Sequence, residues 1–273
     1  MVFLSAIFGA VALASSYTVA HAQKTVMPLP WDGRGEGLDV KTITKKYLTH
    51  ILTMRNDSKL TVEDYISIEQ KAREPAYNGD SAVISISVDG KAQFKDQHDF
   101  RRTELVQFVA SNPKGVTFFR TSFMKKEAFL NPYAWQLVFD ELHVIELRVD
   151  ASVTPAKLIF LCGGTWDPKW ETTFKPGTWY NFGIAVSAGE TPQSVKIEFY
   201  ESEGNEELVL KTKETAEKPY PSDFEFHIGL LTLSDDKSAP KMNKDPDTLM
   251  FNGVSVTPEI STATSLNVNF QQN

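Results

Sequence analysis

Two glutamates carry the chemistry this chain is best equipped for. Glu104 and Glu141 each lie inside a run of alternating apolar residues that reads as a strand, with one further strand-like run, VTFFRTSFM, between them. Antiparallel pairing could bring both carboxyl groups to one sheet face. Hydrolysis of a glycosidic bond needs two such groups, one to protonate the leaving oxygen and one to activate water or attack carbon. The spacing alone also fits two ordinary surface glutamates, because Glu is rarely buried.

The neighbourhood of Glu141 adds weight. Trp135 to Asp150, WQLVFDELHVIELRVD, reads as one long strand that carries Asp140, Glu141, His143 and Glu146 within seven residues. Period two sets Glu141 and His143 on the face of Trp135, Leu137, Phe139, Ile145 and Leu147. Burying such charges costs several kcal/mol unless they are paired or line a cleft. The competing reading is an edge strand whose charges resist aggregation.

Aromatic residues are the second ingredient. Trp166 and Trp170 flank Asp167-Pro168-Lys169 after a Gly-Gly pair, and Tyr133, Trp135 and Trp31 lie near other turn-rich segments. Exposed indoles stack on the apolar face of a sugar ring, so Trp166 and Trp170 are candidate substrate-binding residues; core packing is the alternative for each. No GxSxG, HExxH, Walker or CxxC motif is present, and the histidines lack metal-ligand spacing. Asp235-Asp236 and Asp245-Pro246-Asp247 read as solvated acidic loops, with calcium as the minor alternative, so neither a metal nor a cofactor is expected.

The elements that must position these groups read as all-β. The first 22 residues contain no Lys, Arg, Asp or Glu and end in Ala20-His21-Ala22, which reads as a secretory signal. No later segment is apolar for long enough to span a membrane, so a secreted, extracellular and monomeric protein is expected. The formal net charge of −7 argues against nucleic acid and anionic membranes as partners. Cys162 is the single cysteine, and its LIFLC setting reads as buried and inert. Asn56-Asp57-Ser58 is a glycosylation acceptor pattern, implying an exposed position.

From Ser81 the chain gives SAVISISV, Asp89-Gly90 and KAQFK, which predicts a two-residue β-hairpin. Short strands continue to about residue 258, each bounded by Gly, Pro, Asp, Asn or Ser, with no sustained helical period. This predicts one antiparallel β-sandwich domain over 23–258 and a polar, frayed tail over 259–273.

The ordered motifs Trp31-Asp32-Gly33-Arg34, Arg101-Arg102-Thr103-Glu104-Leu105 and Phe139-x-Glu141-x-His143-x-x-Glu146-Leu147 resemble glycoside hydrolase family 131, secreted fungal β-glucanases. Trp179-x-Asn181-Phe182, His227-x-Gly229-x-Leu231 and Phe251-x-Gly253-Val254 extend the likeness over nearly the whole chain after the signal. The resemblance implies a jelly-roll sandwich with an open cleft that hydrolyses 1,3-, 1,6- and 1,4-linked β-glucan, as polysaccharide or oligosaccharide, without a cofactor. It also implies Glu104 and Glu141 as the catalytic pair and inversion at the anomeric carbon. The chain departs from the family pattern at Asp140 and Leu142.

Local charge suggests roles within that pair. Arg101 and Arg102 would hold Glu104 ionised, suiting a base, if either guanidinium turns toward it. Glu141, on a largely apolar strand, would have a raised pKa and suit an acid. Arg102, His143, Glu146 and His227 are candidate supporting residues. Two other classes compete: a non-catalytic, lectin-like glycan-binding jelly roll, and a polysaccharide lyase, whose cationic cleft the acidic composition disfavours.

Overall fold

Alternating apolar residues build two antiparallel sheets whose inner faces meet in one core. The computed structural model describes residues 25–56, 59–234 and 236–265. In chain order the strands are β1 (Trp31–Asp32), β2 (Ile66–Glu69), β3 (Val83–Val88), β4 (Phe100–Ala110), β5 (Val116–Met124), β6 (Ala134–Asp140) and β7 (Ile145–Asp150). They continue with β8 (Lys157–Cys162), β9 (Trp170–Thr173), β10 (Tyr180–Ala188), β11 (Val195–Glu203), β12 (Val209–Ala216), β13 (Asp223–Leu233) and β14 (Asp247–Thr257). Among the described residues a single turn of α-helix, α1 (His50–Thr53), leans on β4, and two 3-10 turns, Val40–Lys45 and Val62–Asp64, flank it in sequence.

One sheet has the order β12-β11-β10-β5-β14-β3-β2, with β1 on β14; the other runs β4-β13-β6-β7-β8-β9. Phe119 of the first sheet meets Phe226 of the second at 5.1 Å between ring centres, and Phe199 meets Phe160 at 4.1 Å. Burial of these rings is what holds the layers together. Cys162 is a buried free thiol whose pKa burial pushes up to about 11, so it is inert as expected.

The outer face of the second sheet is unusually charged. Strand register sets Glu104 opposite Gly229 and His227 opposite both Val106 and Phe139, while Glu146 lies opposite Phe139 and Arg148 opposite Gln136. The free edge of β4 is covered: Met27 and Leu48 exchange backbone hydrogen bonds with Phe108, Ala110 and Val106. Strands β6 and β7 are interior, so their charges do not guard an edge.

Three expectations are corrected. Trp135 to Asp150 is a hairpin and not one strand: its chain turns at Glu141 to Val144. The buried Asp140 carboxylate accepts the Leu142 and Ile145 N–H groups at 3.1 and 2.9 Å, and His143 takes a left-handed φ of 54°. Asp and His tolerate this turn chemistry, which breaks the alternation. Second, Asp89-Gly90 does not close a hairpin. β3 pairs with β2 and β14, whereas Asp89 caps its own loop through Lys91 N–H and Tyr65 Oη–H. Third, the tail is tied down as far as Thr264: Leu208 and Asn78 N–H donate to Thr262 and Thr264 carbonyls, and Arg120 to that of Ala263. Residues 1–24, which include the expected signal, and residues 266–273 lie outside the described residues. Asn56 is exposed, whereas Asp57 and Ser58 also lie outside them.

Candidate active site

Glu104 is fully buried on the outer face of β4. Its Oε1 accepts Arg102 Nε–H at 2.7 Å, and its Oε2 accepts Arg102 Nη2–H at 2.6 Å and His227 Nδ1–H at 2.7 Å. Burial alone would raise its pKa, but the guanidinium and the imidazole outweigh burial and hold it down at about 2. His227 is the reciprocal case: burial disfavours its charge, yet the carboxylates of Glu104 and Glu225 push it up to about 9. At neutral pH the pair is therefore a carboxylate and an imidazolium. Arg101 plays no part, since its guanidinium donates to the carbonyls of Gly90, His98 and Phe100.

Glu141 begins the β6–β7 turn with a side chain 58% exposed. The apolar surroundings from which its acid role was expected are thus absent. Its N–H donates to Glu225 C=O at 3.1 Å, which fastens the turn to β13. His227 stands between the two glutamates: its Nε2 lies 3.7 Å from Glu141 Oε2 and 3.6 Å from Glu225 Oε1. Because β13 separates β4 from β6, the backbones carrying Glu104 and Glu141 are two strand spacings apart, about 10 Å. Phe139 stacks on the His227 ring at 4.5 Å and fixes its plane. Glu225 is absent from the sequence-derived candidates, although it lies two residues before His227 and period two sets them on one face.

One imidazole thus stands between a buried carboxylate and an exposed one, an arrangement suited to acid–base chemistry. The glycoside hydrolase 131 catalytic N-terminal domain matches residues 29–262. The chain belongs to glycoside hydrolase family 131. Two solved catalytic domains of family 131 share its fold, each at 21% identity: a β-glucanase from Podospora anserina (TM-score 0.68, 88% of this chain and 98% of that one) and a protein from Coprinopsis cinerea (0.67, 87% and 97%). No curated protein matches. Family membership makes the protein a glycoside hydrolase and sets aside the non-catalytic and lyase readings.

The remaining candidates of this family 131 enzyme divide by environment. His143 Nδ1 lies 3.0 Å from Glu146 Oε2, and Glu146, itself buried, also accepts Arg148 Nε–H. The Arg148 guanidinium lies 4.9 Å from the centre of the Trp166 ring, which is 56% exposed. Trp166 thus stands over a groove of about 430 Å³ lined by Tyr133, Arg148, Asp150, Ser152 and Leu233. Its loop is pinned to the turn through Gly163 N–H on Val144 C=O. Trp170 is different: half-buried on β9, it packs against Phe199 at 5.2 Å and belongs to the core. Among the described residues, no three His, Cys, Asp or Glu side chains cluster to hold a metal. Asp235 lies outside those residues, and Asp247 is buried against Lys125 and the Leu130 and Asn131 N–H groups.

Proposed function

We propose that this enzyme hydrolyses β-glucan outside the cell, acting on 1,3-, 1,6- and 1,4-linked chains, with Glu104 and Glu141 as its carboxylate pair. The observation that carries the reading is His227, which lies between an anion fully enclosed by the fold and a carboxyl group open to solvent. Glu141, the accessible member, meets the glycosidic oxygen and protonates it. Glu104, held ionised by Arg102 and His227, takes the proton of the attacking water. Of Glu104 and the two side chains bonded to it, Arg102 is the most exposed, at 10%, so the water reaches Glu104 from the Arg102 side. Trp166 supplies a stacking face for a neighbouring sugar ring. Residues 1–22 serve as the export signal.

The intervening strand supports inversion. An inverting enzyme leaves roughly 6.5 to 9.5 Å between its carboxyl groups so that water fits, whereas a retaining one holds them about 5 to 5.5 Å apart. Glutamates separated by a whole strand suit the longer spacing.

The test is a product profile on laminarin, pustulan and cellulose, with NMR of the freshly released sugar. Reducing ends from these glucans with the α-anomer first are expected. An initial β-anomer would make one glutamate a nucleophile, and no reducing ends from any of them would remove β-glucan as the substrate.

A further inference from the structure

We infer that Glu225 is a positioning residue for Glu141: the Nε2–H of His227 lies between the two carboxylates and passes from Glu225 to Glu141 as Glu141 gives its proton to the leaving oxygen. The inference rests on the acid role proposed for Glu141 and adds a residue outside the two-glutamate pair.

The geometry is that of one donor with two acceptors. Nε2 is 3.6 Å from Glu225 Oε1 and 3.7 Å from Glu141 Oε2, and it has no hydrogen-bond partner although it is buried. The ring cannot turn to choose, because Nδ1–H is committed to Glu104 at 2.7 Å and Phe139 stacks on its face. Glu225 and Glu141 are joined backbone to backbone, so neither can withdraw without the other.

An N–H makes one short bond at a time, and a charged acceptor gains roughly twice as much from it as a neutral one. While Glu141 keeps its proton, Glu225 is the charged acceptor of the two. As the C1–O bond breaks, the Glu141 proton goes to the leaving oxygen, the hydroxyl of water bonds to C1, and the remaining water proton goes to Glu104. His227 keeps its own proton throughout and only changes acceptor, stabilising the Glu141 carboxylate as it forms.

Other charged groups face this cluster: Glu104 and Arg102 from β4, His50 from α1, Asp140 and His143 from the β6–β7 turn, with Arg148 and Lys218 beyond them. All of them remain in Glu225→Gln, which keeps the shape of the side chain and removes one charge, whereas Glu225→Asp keeps the charge on a shorter stem.

The experiment is the pH profile of kcat on laminarin for the wild type, E225Q, E225D and E141Q. Without Glu225, a negative neighbour is lost and the His227 N–H turns to Glu141 permanently; both changes favour ionised Glu141. The basic limb of E225Q should therefore move to lower pH, by about one unit, with the acid limb and melting temperature unchanged. E225D should restore the wild-type limb. A lower kcat with an unmoved limb would overturn the inference in favour of a structural role. A folded E225Q enzyme inactive at every pH would overturn it in favour of a catalytic one. Wild-type rate in E141Q would overturn the acid assignment itself, and the inference with it.

Discussion

Gly229 lies directly opposite Glu104 across the β4–β13 pair, and its missing side chain is the space through which the Glu104 stem passes. A Cβ at Gly229 would stand 2.1 Å from Thr103 O, 2.7 Å from Glu104 Cα and 3.0 Å from Glu104 Cγ. The first two are backbone atoms, so no rotamer change relieves the clash. Gly229→Ala is expected to cost more than about 1 kcal/mol of stability and to lower activity by displacing Glu104. Thermal melting and kcat of the purified variant check this.

The two glutamates should separate under the same substitution. Glu141→Gln removes an exposed titratable proton, so activity should fall by roughly 10² to 10⁴-fold with the melting temperature unchanged. Glu104→Gln leaves Arg102 and His227 buried without their anion, and should cost about 3 kcal/mol or more in addition to activity. Denaturant titration beside the rate assay distinguishes them.

Stability should depend on pH in three windows. Glu104, lowered to about 2, stabilises the fold above its ordinary 4.5 and loses that contribution as pH falls toward 2. His227, raised to about 9, contributes fully below its ordinary 6.5 and loses the contribution as pH rises through 9. Burial pushes Asp140 up to about 6 against the hydrogen bonds from its turn, so its protonated form favours the fold and stability falls as pH rises from 3.8 through 6. The melting temperature should thus peak at about pH 4 to 5. Its decline between pH 6.5 and 9 should flatten in Glu104→Gln, whose neutral amide no longer holds His227 charged.

Trp166 and Trp170 should also part company. Trp166→Ala removes an exposed stacking face worth about 1 kcal/mol, so KM for glucan should rise roughly fivefold at unchanged melting temperature. Trp170→Ala empties a contact with Phe199 and should cost about 2 kcal/mol or more of stability, with KM unchanged.

The strand-forming pattern was legible residue by residue, because alternation expresses which face of a pleat is buried, a local property. Most strands fall where the alternating runs predict, as do the sandwich, the buried Cys162 and the ionised state of Glu104, whose partner Arg102 lies two residues away on the same face. Motif order was enough for family membership.

Tertiary structure decided what depends on partners distant in sequence. Whether Trp135 to Asp150 is one strand or two turns on where the Asp140 carboxylate finds donors, and whether Asp89-Gly90 closes a hairpin turns on β3 being claimed by β2 and β14. Period two therefore misplaces Glu141, which is exposed on a turn. The same cause hides the link between the glutamates: His227 and Glu225 come from a strand more than 80 residues further along, inserted between β4 and β6 by backbone pairing that no local pattern encodes.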